Sequence, residues 1–135
     1  MKAFDSLNLI ADSLTIASMF DTFEESIYVI GTNEELLYMN RAAEKLDGLK
    51  LSECRGRTIC ELYGINDTPS LRALRTGQPV NDVPFRYNVS GVDVFQICNA
   101  WPIIRDGKVV GSYTIQKDVT RLKEVIEDNL KMQRE

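Results

Sequence analysis

Apolar positions recur along this chain with changing period, and each change marks a boundary. Leu7, Ile10, Leu14, Ala17 or Ser18, and then Phe20 fall at helical spacing, which predicts an amphipathic helix near residues 3–20. Short β-rich runs follow near 26–31 and 35–39, then a helix near 41–47 and a cluster of helical turns near 50–63. Thr68 to Gly77 carries proline at its first turn and glycine just past its end, which brackets a helix with Leu71 and Leu74 toward the core. Strands are expected near 80–89, 92–102 and 108–118. From Thr120 onward Leu122, Val125 or Ile126, Asn129 or Leu130, and Met132 return to helical spacing.

The connections convert these elements into an architecture. Short turns at Asn33-Glu34, Ser90-Gly91 and Asp106-Gly107 require antiparallel pairing, and the helical stretch 41–77 then covers one face of the sheet. The expectation is an α/β protein of the α+β kind, a five-stranded antiparallel sheet with helices on one face and a cavity between the layers. Its parts are an N-terminal amphipathic helix (1–22), a central domain (23–119) and an outgoing helix (120–135). That last helix meets no stop signal, so the natural protein is expected to continue beyond it.

Strand parity divides the sheet into two sets. Phe85, Tyr87 and Val89 alternate with Arg86 and Asn88; Phe95, Ile97 and Trp101 alternate with Gln96, Cys98 and Ala100; Val109, Tyr113 and Ile115 oppose Ser112, Thr114 and Gln116. An ordinary one-sided sheet would bury the apolar set.

Composition narrows the function. A chain of 135 residues with net charge −4 and interspersed signs has no electrostatic footprint for nucleic acid or an anionic membrane. No apolar run is long enough to span a bilayer, and Asp5, Asp12 and Asp21 interrupt any signal-peptide core. Cys54, Cys60 and Cys98 show neither metal-ligand nor disulfide spacing, which suits reduced thiols in a cytoplasm. With no histidine, nucleophile elbow or phosphate loop, no enzyme is expected.

Three motifs in order resemble a PAS domain, the small sensor module: Asn40-Arg41-Ala42-Ala43 entering a helix after the first hairpin, Gly56-Arg57-Thr58-Ile59, and the closing Asp118-Val119-Thr120 that hands the last strand to a signalling helix. The resemblance covers roughly residues 23–120, and the run from Gly91 is most similar to sensor domains of RocR-type sigma-54-dependent transcriptional activators. It implies a PAS fold, a ligand cavity, and ATPase and DNA-binding output domains that this chain lacks. It also implies that the polar set of the last strand faces the cavity. The ligand-binding set is then Tyr28, Arg86, Gln96, Cys98, Ser112, Thr114 and Gln116, with Asp118 and Thr120 as signal relay. Arg86 would hold a carboxylate, or else sit solvated on its strand, and no inward carboxylate is expected to face a cation.

The implied ligand is a small polar metabolite, amino-acid-like, and the implied assembly is a homodimer through the N-terminal and C-terminal helices. Both helices have a plainer role in packing on their own domain. No cofactor is expected: haem held through histidine is excluded, and flavin photochemistry of the LOV type lacks its cysteine motif, since Cys60 is one residue displaced. A sensor of a histidine kinase or cyclic-dinucleotide enzyme, and a ligand-free dimerisation module, are the other readings.

Overall fold

A computed structural model describes residues 15–89 and 91–134 of the chain. Its sheet comprises β1 (Ser26–Gly31), β2 (Leu36–Met39), β3 (Val80–Val89), β4 (Val92–Arg105) and β5 (Lys108–Asp118). The order is β2-β1-β5-β4-β3, antiparallel at every pairing. Between β2 and β3 run four short helices, α1 (Arg41–Asp47), α2 (Leu51–Cys54), α3 (Ile59–Tyr63) and α4 (Pro69–Thr76), and α5 (Thr120–Arg134) follows β5.

Local chemistry sets the boundaries. Thr68 accepts from the Leu71 amide, Pro69 opens α4, and Gly77 closes it with φ near 69°. Asn40 does more than cap α1: its side chain accepts from the amides of Ala43 and Ile27 and donates to the carbonyls of Phe20 and Glu25. One buried amide thus joins the chain before β1, β1 itself and α1. The β4–β5 turn has positive φ at both Asp106 (53°) and Gly107 (76°), as a type I′ hairpin requires.

The four helices lie on one face of the sheet. Tyr28, Ile30, Leu36 and Met39 pack there with Ala43, Cys54, Ile59 and Leu71, beside a second cluster of Tyr87, Val89 and Val94. β4 extends to Arg105, three residues past the expected 102, because its outer half continues to pair with β5.

Of the expected N-terminal helix, Leu7, Ile10 and Leu14 lie outside the described residues, as does Ser90 of the β3–β4 turn. Residues 15–20 are helical. Phe20 packs against Phe23 and Tyr38, and the Tyr38 hydroxyl reaches the Ala17 carbonyl, so this end of the segment lies beside β2.

Candidate functional site

Antiparallel partners share a face, so the register decides which residues look toward the helices. Gln116 pairs with Ser26 on one side and Cys98 on the other; Thr114 pairs with Tyr28 and Ala100; Ser112 pairs with Ile30. All of these side chains are buried on the helix-covered face, with Gln96, Ser112 and Thr114 at 0% exposure. Central strands β4 and β5 therefore turn their polar and small residues inward.

Edge strand β3 does the reverse. Gln96 pairs with Phe85, and Arg86 pairs with Phe95, so Phe85, Tyr87 and Val89 face inward and Arg86 faces out. The expected inward Arg86 is corrected: its guanidinium is 3.6 Å from Asp93, lies over the Phe95 ring, and is exposed. A one-residue step along a strand moves a side chain to the opposite face, and the pairing of Gln96 with Phe85 leaves no choice.

Between the inner face and the helices lies a partly open cavity of about 40 Å³ lined by Tyr28, Ile30, Ile59, Tyr63, Ile65, Thr68, Ser70, Phe85, Tyr87 and Gln116. Among the described residues, no lysine or arginine lines it. Next to it stand buried polar atoms without a protein partner: both amide atoms of Gln96, Thr114 Oγ1 and Gln116 Oε1. Such groups are costly to leave unpaired, by about 1–3 kcal/mol each, and call for a partner such as a water or another polar molecule. Ser112 is different, because its hydroxyl donates to the Ser70 carbonyl at 2.7 Å and ties β5 to α4. Cys98 is fully buried, and burial pushes its thiol up to about 12.

One inward carboxylate escaped the sequence analysis. Asp47, the last residue of α1, is 1% exposed and accepts from three tyrosine hydroxyls: Tyr28 at 2.6 Å, Tyr63 at 2.7 Å and Tyr87 at 2.6 Å. These rings come from β1, α3 and β3. Burial raises the Asp47 carboxyl above its ordinary value, and the three hydrogen bonds oppose that shift. The same burial and the adjacent carboxylate raise all three phenols, so each remains protonated and donating. The available signal was the spacing of Asp47 four residues after Ala43, which places both on the buried side of α1.

Signal-relay candidates sit at the exit. Asp118 ends β5, exposed, and Thr120 begins α5, its side chain outside the described part. The Val119 amide donates to the Phe95 carbonyl, which anchors the junction to β4. Leu122 and Ile126 of α5 border a groove with Phe95 and Ile97 on the outer face of the sheet.

A family model described as PAS fold matches residues 20–124. Transcriptional activator RocR of Bacillus subtilis (strain 168) is 23% identical over 122 residues, covering 87% of this chain and 26% of that protein. A probable C4-dicarboxylate sensor kinase of Halalkalibacterium halodurans is 34% identical over 108 residues, covering 78% of this chain and 19% of that protein. The chain thus spans about a quarter and a fifth of these two relatives. The solved PAS domain of BvgS from Bordetella pertussis superposes with a TM-score of 0.61 at 16% identity, covering 92% of this chain and 99% of that one.

Proposed function

The chain belongs to the PAS fold family, and from that premise we propose that it senses a small polar metabolite for a sigma-54-dependent transcriptional activator. A PAS sensor domain is the part the family match carries. The observation that supports ligand binding is the set of unpartnered buried atoms on Gln96, Thr114 and Gln116, the last of which lines a partly open cavity. A protein that buries these groups without partners gains stability from any ligand that supplies them.

Two of those three residues stand on β5, which runs into α5 after one intervening residue. A ligand that pulls on Gln116 and Thr114 acts on the strand that positions α5. Two arrangements of that strand and helix, biased by ligand, would govern an output domain carried elsewhere in the full protein. The exposed apolar side chains of α5, among them Leu122, Val125, Ile126 and Leu130, suit pairing with a second copy. No helix among the described residues is long and apolar enough to cross a membrane.

Thermal unfolding of the purified domain against a panel of metabolites tests this reading. One compound should raise the melting temperature in proportion to the logarithm of its concentration, and Gln116→Leu should abolish the rise. A flat response to the whole panel, in both proteins, would leave a ligand-free dimerisation module. A second reading, the sensor of a histidine kinase, is favoured by the 34% identity to a sensor kinase, and the output domain of the full-length protein separates the two.

A further inference from the structure

Resting on the reading of this cavity as a ligand site, we infer that its ligand carries a cationic nitrogen group rich in N–H donors and no carboxylate. A phenol has one proton to donate. In Tyr28, Tyr63 and Tyr87 that proton is committed to Asp47, so the three oxygens have only lone pairs left for anything in the cavity they line. Tyr28 and Tyr87 hydroxyls lie 3.5 Å apart, and with both protons spent this contact is two acceptors side by side. The Asp47 carboxylate stands directly behind them and gives the cluster a net negative charge. An acceptor cluster over a buried anion calls for donors and positive charge, which a primary ammonium or a guanidinium supplies in one compact group.

Tyrosine rings strengthen the same preference. Tyr63 and Tyr87 meet edge to face at 5.9 Å and Phe85 lies against Tyr87, so the cavity wall presents aromatic surface that attracts a desolvated cation. The cavity has the size of a head group rather than of a ring system. Toward β5, Gln116 lines the cavity and its amide oxygen has no protein partner, an acceptor that suits a neutral hydrogen-bond donor at the ligand's other end.

Anions find no counterpart here. Arg86 is on the outer face, the lining holds no lysine or arginine, and Asp47 repels a carboxylate through the low-dielectric interior. An alkyl amine, diamine or alkylguanidine therefore fits better than a free amino acid, and a dicarboxylate is rejected.

Calorimetric titration of the domain with 1,4-diaminobutane, butylguanidine, L-glutamine and succinate, alongside thermal unfolding, tests the inference. Binding by the diamine or the alkylguanidine, with none by succinate, is the expected result. Asp47→Asn keeps a side chain of the same shape and should weaken that binding by about a hundredfold or more, as removal of one partner of a buried charge pair does. Tyr63→Phe removes one acceptor from a less buried ring and should weaken it by about tenfold, which serves if the Asn variant does not fold. Binding of succinate or L-glutamine without the amines would overturn the cationic ligand while leaving a sensor in place. Silence from all four probes, with a response to some other uncharged metabolite that Gln116→Leu removes, would also overturn it. Silence from these probes and from every metabolite would overturn both this inference and the sensing role.

Discussion

Asp47 concentrates the energetic tension of this domain in one side chain. A carboxylate at the C-terminal end of a helix, removed from water, is disfavoured both by the backbone carbonyls around it and by desolvation. Three phenols offset this without cancelling it, since the carboxyl remains above its ordinary value of 3.8. The native state therefore holds the Asp47 proton to higher pH than the unfolded chain does. Its contribution to stability is full below pH 3.8 and is lost as pH rises through the folded value. Urea unfolding of wild type and Asp47→Asn should show the wild type losing ground to the variant across that window and a constant difference above it. Thiol chemistry gives a second check at this scale. Cys98 and Cys54 are buried with raised thiols, whereas Cys60 is exposed. Native protein treated with a thiol reagent should label once, at Cys60, and Cys60→Ser should remove that fast phase.

Among the elements, β5 is the central strand, paired on both sides and packed by α4 on one face. Gly111 shows the constraint: a Cβ there would lie 2.5 Å from the Ile30 carbonyl oxygen. Gly111→Ala should cost about 1–3 kcal/mol in urea unfolding, since that contact is backbone and cannot swing aside. The loss would fall on the strand proposed to carry the signal. α4 was legible from its ends inward, with Thr68 and Pro69 opening it and Gly77 closing it. Thr68→Ala should lower stability by about 1 kcal/mol through the cap it removes. β3 was legible as a strand, yet its facing was not, because Phe85-Arg86-Tyr87-Asn88 alternates equally well in either orientation. Only the Gln96–Phe85 pairing chooses.

For the whole molecule, the outer face of the sheet carries apolar side chains beside those of α5, with Phe95 and Ile97 facing Leu122 and Ile126 across a groove. Trp101 stacks on Tyr113 there at 5.0 Å, and Leu122 and Ile126 remain 56% and 50% exposed. On the proposed pairing through α5, the domain should sediment as a dimer and Leu122→Glu with Ile126→Glu as a monomer, with a melting temperature little changed because neither side chain is in its core. Retention of the dimer would place the contact elsewhere, in the segment before β1.

Local chemistry was enough to specify the sheet, the helices that cover it and their antiparallel pairing, because turn residues, caps and hydrophobic period act over a few positions and survive in a single sequence, whereas the PAS family was legible only through the resemblance of its motifs. Parity along β5 and the family resemblance together brought Gln116, Thr114 and Ser112 to one face with Gln96 and Cys98. The arrangement of Asp47 under Tyr28, Tyr63 and Tyr87 was decided by tertiary structure alone. Those four residues span four elements and 60 positions of the chain, from Tyr28 to Tyr87, and no local pattern links one to another. The charge around the cavity followed from the same cause: register turned Arg86 out and packing turned Asp47 in, so the inner face lacks the expected guanidinium and holds a buried carboxylate.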